Sequence, residues 1–348
     1  MNFSVEESHV NRFHPVIEDE RVLEADFLPN RMVHRDSERQ EIANALDPIL
    51  EDGQPRNVLL YGPPGTGKST MAEYVVEKLR EHDSSVTWGS VNCWKNPSRF
   101  KVYYELLTGM GERMIHRTGT PTDELVDRFE EKIRSRPSVV ILDEVDQIED
   151  ERILYDMARY NRTGVIMIAN QENVFYDLDE RIRSSLSSRK NIRFQAYDTD
   201  ELVDILKDRR KWGLKPDTVE TSQLRKIANR SNGDARIAIN SLRIAAEAAE
   251  DAGREEITDE DIEAAVPEAV QLDQSESLEK LNDDQRVLYD IIKEEGEIEP
   301  RELYDRYREE AEEPKVERTL RNYLRKMENY RLIESTGKGT GTEYKLSE

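Results

Sequence analysis

The 348-residue chain has room for two or three domains, and 74 acidic against 51 basic side chains leave a formal charge of −23. Lysine supplies only 16 of the 51 cations, a balance that keeps a protein hydrated in concentrated salt and leaves any nucleic-acid contact to local basic patches. A single cysteine, Cys93, excludes an internal disulfide framework and a cysteine-based zinc site, while a polar N-terminus and the lack of long apolar runs lead us to expect a soluble, cytoplasmic protein with no membrane partner.

Residues 1 to about 25 are polar and acidic, which predicts an extended or disordered arm. A helical pattern follows in SERQEIANALDPIL. Short apolar runs of strand type come next: NVLLY (57–61), VTWGSV (86–91), VVILD (139–143) and GVIMIAN (164–170), with NIRF (191–194) as a weaker fifth. Their alternation with helical stretches predicts a parallel sheet covered on both faces. From about Thr199 the pattern is helical, and PEAVQLDQSESLEK then reads as a linker. The expected domains are an arm over 1–25, a parallel-sheet core over 26–197, a helical domain over 198–268, and a linker with a further domain over 269–348.

The stretch GPPGTGKS at 62–69 fits GxxxxGK[ST] without mismatch and lies between a predicted strand and a predicted helix, the context this phosphate cradle requires. Backbone N–H groups around Gly65, Thr66, Gly67 and Thr70 can wrap phosphates, aided by the helix N-terminus. Lys68 is expected to reach the β- and γ-phosphates of ATP, and Ser69 to give its hydroxyl to Mg²⁺. Seventy-five residues after Lys68, the apolar run VVIL ends in Asp143 and Glu144. Asp143 is the expected Mg²⁺ partner and Glu144 the general base for the attacking water. Asn170 closes the next strand at the carboxyl edge, where ligands collect, and can orient that water. In GDAR (233–236) Asp234 can cap a helix while Arg236 reaches for phosphate from the lid.

Charge reverses near the C-terminus, from ten acids and three bases over 294–313 to eight bases and four acids over 314–345. In PKVERTLRNYLRKMENYRLI, Pro314 suits a first turn, and Val316, Leu320, Tyr323 or Leu324, and Met327 share one helix face. Arg318, Arg321, Asn322 and Arg325 share the other and suit a major groove. STGKGTGTEYKL reads as a hairpin wing whose Lys338 can approach phosphate.

Taken in order, these motifs resemble an AAA+ ATPase, and within it the archaeal origin-recognition and helicase-licensing initiators. Further pieces of the resemblance are LPNRMVHRDSERQEIANAL (28–46), LDERIRSSLSSRKNIRFQAYDTDELVDIL (178–206) and GDARIAINSLRIAAEAA. It implies an α/β fold: an AAA+ P-loop parallel-sheet core, a helical lid and a C-terminal winged helix. It also implies that HRDSE lines the adenine pocket, and that Tyr197 and Arg209 touch the ATP or ADP. Origin double-stranded DNA, the replicative helicase and further copies on DNA are the implied partners, with slow hydrolysis as a switch. The segment 98–118, with Arg99, Lys101, Arg113 and Arg117, stands where the family carries a DNA-gripping helical insertion. One departure concerns the arginine finger: the matching position is Ser185, with Arg181, Arg183 and Arg189 nearby. A branch-migration motor and a signalling ATPase whose winged helix binds protein are the alternatives.

Overall fold

The computed structural model describes residues 15–51, 53–176, 178–337 and 342–347. Residues 1–14 of the expected arm and Lys338 of the expected wing lie outside the described residues. The chain divides into two units, one of residues 28–197 with 271–348, the other Met1–Phe27 with Asp198–Val270.

The first unit is built on five parallel strands: β1 (Val58–Tyr61), β2 (Thr87–Asn92), β3 (Ser138–Asp143), β4 (Thr163–Ala169) and β5 (Lys190–Arg193). Their spatial order is β2-β3-β4-β1-β5. Each predicted run, the weaker fifth included, is a strand. Side chains alternate between two buried faces, which is why the runs are apolar throughout. Val58, Leu60, Ile141 and Ile166 pack under α1 (Asp36–Leu46) and α2 (Lys68–His82). Leu59, Val140, Leu142 and Met167 pack under α3 (Arg99–Gly109), α4 (Thr122–Ser135), α5 (Arg152–Ala158) and α6 (Glu180–Ser185). On α2 the buried set Met71, Ala72, Val75, Val76 and Leu79 follows the helical period. Each large member stabilises the unit by roughly 1.5–3 kcal/mol. Within the 98–118 segment one helix, α3, runs to Gly109, and the chain is then non-helical until α4.

The second unit holds α7 (Thr199–Gly213), α8 (Thr221–Arg230), α9 (Ala235–Asp251) and the first half of α10 (Asp259–Glu279). A capping box of Asp198 and Glu201 opens α7. The described part of the expected arm is an ordered piece of this unit. Glu250 Oε1 accepts from the N–H groups of Val16 (3.2 Å) and Ile17 (2.8 Å), and Ile17 bridges to Leu214. Val16 and Leu23 are fully buried, and a Cβ added at Gly213 would lie 2.8 Å from Leu23 Cδ2. Three apolar residues, Val16, Val22 and Leu23, outweigh the acidic composition because they find a hydrophobic partner that composition does not reveal. The expected linker also proves helical, since α10 runs past Pro267 to Glu279. Ile262, Ala265, Val266 and Ala269 are buried at helical spacing, and that packing prevails over the one backbone bond the proline removes.

The C-terminal part of the first unit comprises α11 (Asp283–Glu295), β6 (Glu297–Ile298), α12 (Pro300–Glu310), α13 (Glu317–Asn329), β7 (Ile333–Thr336) and β8 (Glu343–Leu346). Its strands pair antiparallel in the order β6-β8-β7, the element order expected of a winged helix. Leu288, Ile292, Tyr307, Leu320, Leu324 and Met327 fill its core, together with Trp94 from the loop after β2. Helix α13 begins at Glu317, so Pro314 is outside it, and Val316 is its N-cap, 70% exposed rather than buried. Among the described residues no helix is long and apolar enough to cross a membrane.

Candidate nucleotide site and nucleic-acid face

The loop between β1 and α2 is shaped by two glycines that admit no side chain. Gly62 has φ +148° and an added Cβ would lie 2.0 Å from the Phe194 carbonyl oxygen. Gly67 has φ +82°, and a Cβ there would lie 2.9 Å from the Tyr197 hydroxyl. The N-terminus of α2 has no side-chain cap at Gly67, so its first N–H groups face the loop. Lys68 is buried and its ammonium donates to the carbonyls of Gly62 and Pro63, both at 2.7 Å. Thr66, also buried, donates to the Pro63 carbonyl at 2.9 Å. Tyr197 therefore stands against the cradle. Its ring carries the Arg35 guanidinium 4.1 Å from the centroid, which joins the HRDSE segment to the same place.

Ser69 Oγ donates to Asp143 Oδ2 at 2.7 Å, so the end of β3 meets the start of α2 across 74 residues of sequence. A hydroxyl and a carboxylate side by side are hard oxygen donors of the kind Mg²⁺ takes. Asp143 Oδ1 also accepts from the N–H of Glu144 at 2.8 Å, and Glu144 sits in the left-handed region at φ +52°. The Tyr330 hydroxyl, at the end of α13, accepts from Asn170 Nδ2 at 3.3 Å. Glu144 Oε2 is buried with no hydrogen-bond partner. Burial, and then the Asp143 charge beside it, push the Glu144 carboxyl up to about 7, against the opposing pull of Lys280 and Tyr330.

The AAA domain pattern matches residues 51–174, and the Cdc6 AAA+ ATPase-type lid domain pattern matches residues 203–266. ORC1-type DNA replication protein 9 of Halobacterium salinarum is 40% identical over 333 residues, 95% of this chain and 94% of that protein. The chain belongs to the ORC1-type DNA replication proteins. Among solved structures, the Aeropyrum pernix ORC1 protein in complex with DNA superposes with a TM-score of 0.76 at 25% identity, over 96% of this chain and 94% of that one. The Aeropyrum pernix ORC2 protein in its ADPNP-ADP complexes shares the fold, with a TM-score of 0.67 at 23% identity over 95% and 94%. This ORC1-type chain is accordingly an AAA+ ATPase.

Other expected residues of the ORC1-type chain divide by where their donors go. Asp234 caps α9, accepting from the N–H of Arg236 at 3.0 Å and of Ile237 at 3.3 Å, with Arg236 in the first turn. Arg209, expected on the nucleotide, is a correction. Its guanidinium is buried and donates to the carbonyls of Val22 (2.8 Å) and Phe27 (3.1 Å), tying the N-terminal segment to α7. Burial lowers its pKa. Arg189 is likewise engaged locally, with the Leu186 carbonyl at 3.0 Å and over the Phe175 ring, whereas Arg181 and Arg183 are exposed on α6. Arg99 ties α3 to Asp156 at 3.0 Å and to Asp123 at 3.5 Å, while Lys101, Arg113 and Arg117 remain on the surface. On α13, Arg318, Arg321, Asn322 and Arg325 are all exposed on the face opposite Leu320, Leu324 and Met327.

Three neighbours of the ORC1-type site escaped the sequence reading: Tyr330, Lys326 and Trp94. The Trp94 and Tyr330 ring centroids are 4.1 Å apart, and Lys326 Nζ lies 4.1 Å above the Trp94 ring. Burial brings the Lys326 ammonium down to about 7 despite the nearby Asp146 and Glu144 carboxylates. Nothing in RKMENYRLI or NCWKN marks these residues, because their role comes from contacts between segments far apart in sequence.

Proposed function

We propose that this chain is a replication initiator whose grip on origin duplex DNA is set by the nucleotide it holds. The phosphates of ATP rest on the N–H groups of residues 65–70, and Lys68 exchanges its two loop carbonyls for the β- and γ-phosphates. Mg²⁺, when bound, neutralises phosphate charge, and Ser69 and Asp143 are the residues that would hold it. Glu144 takes a proton from the attacking water, Asn170 orients that water, and Arg236 completes the phosphate contacts from the lid. Tyr197 and Arg35 flank the nucleotide. Turnover is slow, so ATP and ADP define two states of one switch.

On DNA, Arg318, Arg321, Asn322 and Arg325 enter a major groove, with Lys338 approaching phosphate. The replicative helicase and further copies of the chain are recruited there. The observation that carries this reading is the 40% identity over 95% of the chain with an ORC1-type DNA replication protein. The DNA-bound Aeropyrum pernix ORC1 protein and the exposed cationic face of α13 support it.

The test is nuclease footprinting along DNA flanking the protein's own gene, with ATP or ADP, at one fixed high salt concentration. Protection of discrete sites that differs between the nucleotides is expected. Affinity equal to that for random DNA, and indifferent to nucleotide, would refute the initiator reading.

A further inference from the structure

Asn170 leaves β4 at the edge of the sheet where the cradle lies. β4 runs between β3 and β1, with Leu142 opposite Met167 and Tyr61 opposite Ala169. The residue after Ala169 therefore emerges between the Asp143–Glu144 turn and Gly62 at the start of the phosphate loop. A carboxamide there has one oxygen acceptor and two N–H donors, and it samples several rotamers unless a partner holds it. That partner comes from another element: the Tyr330 hydroxyl accepts from Asn170 Nδ2 at 3.3 Å. Tyr330 is itself fixed. It is the C-cap of α13, it is 6% exposed, and its ring lies 4.1 Å from that of Trp94. The next residue makes a second contact with the same helix end, Gln171 Nε2 donating to Asn329 Oδ1 at 3.4 Å on the exposed side.

We propose that Tyr330 is a positioning residue of the ATPase site, its hydroxyl holding the Asn170 carboxamide so that Oδ1 and the second N–H serve the attacking water and the γ-phosphate. This rests on reading Asn170 as the group that orients the water. In the step it serves, a water oxygen forms a bond to the γ-phosphorus as the bond to the bridging oxygen breaks. ADP leaves with that electron pair, and the water proton passes to Glu144. Attack must come in line with the breaking bond, and a carboxamide free to rotate offers that geometry for only part of the time. A phenol whose ring is locked by packing gives its hydroxyl one position, which is what a supporting group needs. The element that carries the DNA-contacting helix thus also completes the hydrolytic site.

The experiment is single-turnover ATP hydrolysis by the full chain with Mg²⁺, the protein in excess and its concentration varied to separate the hydrolytic step from ATP affinity. Wild type is compared with Tyr330→Phe, Asn170→Ala, the double variant and Gln171→Ala. Tyr330→Phe keeps the ring against Trp94 and removes only the hydroxyl. It is expected to slow hydrolysis at saturation about fivefold, the factor for one lost hydrogen bond, with half-saturation within about twofold because the phosphate cradle is untouched. In the Asn170→Ala background Tyr330→Phe should cause no further slowing, since the two groups act as one unit. Gln171→Ala, which loosens the neighbouring contact and leaves the Asn170 bond in place, should hydrolyse at the wild-type rate. A Tyr330→Phe rate equal to or above wild type overturns the proposal, as does the same fivefold slowing with Asn170 already removed; both leave the reading of Asn170 intact. If Asn170→Ala itself hydrolyses at the wild-type rate, that reading fails and the proposal falls with it.

Discussion

Replacing Trp94 by alanine tests whether the C-terminal element from α11 to β8 is held to the five-stranded sheet through this one side chain. Trp94 is 6% exposed and belongs to the cluster of Leu288, Ile292, Leu324 and Met327. Truncating a buried tryptophan costs about 3–5 kcal/mol. Of this, the Tyr330 ring at 4.1 Å accounts for about 0.5–1.5 kcal/mol beyond area burial, and Lys326 at 4.1 Å adds up to about 2 kcal/mol only where it is protonated, below about pH 7. The indole N–H contributes nothing, since Nε1 is buried without an acceptor. Trp94→Phe should therefore retain most of the stability, because it keeps a ring and removes a donor that is costly to bury. Urea unfolding followed by circular dichroism measures the loss. Hydrogen exchange at Tyr330, Arg331 and Leu332 locates it, and these amides should exchange roughly a hundredfold faster in Trp94→Ala. A loss below about 1 kcal/mol, or unchanged exchange at those amides, would show that the contact does not hold α13 in place.

Three further outcomes follow from the geometry. Gly67→Ala must take a left-handed φ and meet the Tyr197 hydroxyl, so it should cost about 1–2 kcal/mol and lower ATP affinity in calorimetry; unaltered binding would mean the loop is more plastic than its contacts imply. Arg209→Met removes two buried charge-assisted bonds and should destabilise by about 2–4 kcal/mol while leaving ATP affinity within about twofold; a large affinity loss at unchanged stability would return Arg209 to the nucleotide. Lys326, faced by Asp146, Glu144 and the Trp94 ring, gives up its proton at about 7 in the folded chain but near its ordinary 10.5 when unfolded. The unfolded state then binds more protons between those values, so stability should rise as pH increases from about 7 to 10, and Lys326→Met should flatten that slope; equal slopes in thermal melts of the two proteins would refute it.

Much of the nucleotide site was legible because its chemistry is local. A strand, a glycine loop and a helix N-terminus are consecutive in sequence, and the positive φ at Gly67 can be anticipated from the motif itself. The five strands were legible for a related reason, as burial on both faces demands unbroken apolar runs. Composition misled where a few apolar residues decide the outcome, as at Val16 and Leu23, and where helical packing overrode a proline and a polar tract after Val266. It could not say that Arg209 serves two carbonyls rather than phosphate, since an arginine's partner is chosen by whichever acceptors the fold places within reach.

From the order of residues alone came the phosphate cradle, the Asp143 and Glu144 pair, the sheet, and the cationic side of α13, each written in neighbours along the chain. Tertiary structure alone decided that Ser69 meets Asp143 and that Tyr330 meets Asn170. The reason is physical: a hydrogen bond depends on separations of about 3 Å in space, and no periodicity along the chain encodes which distant segments packing will bring that close.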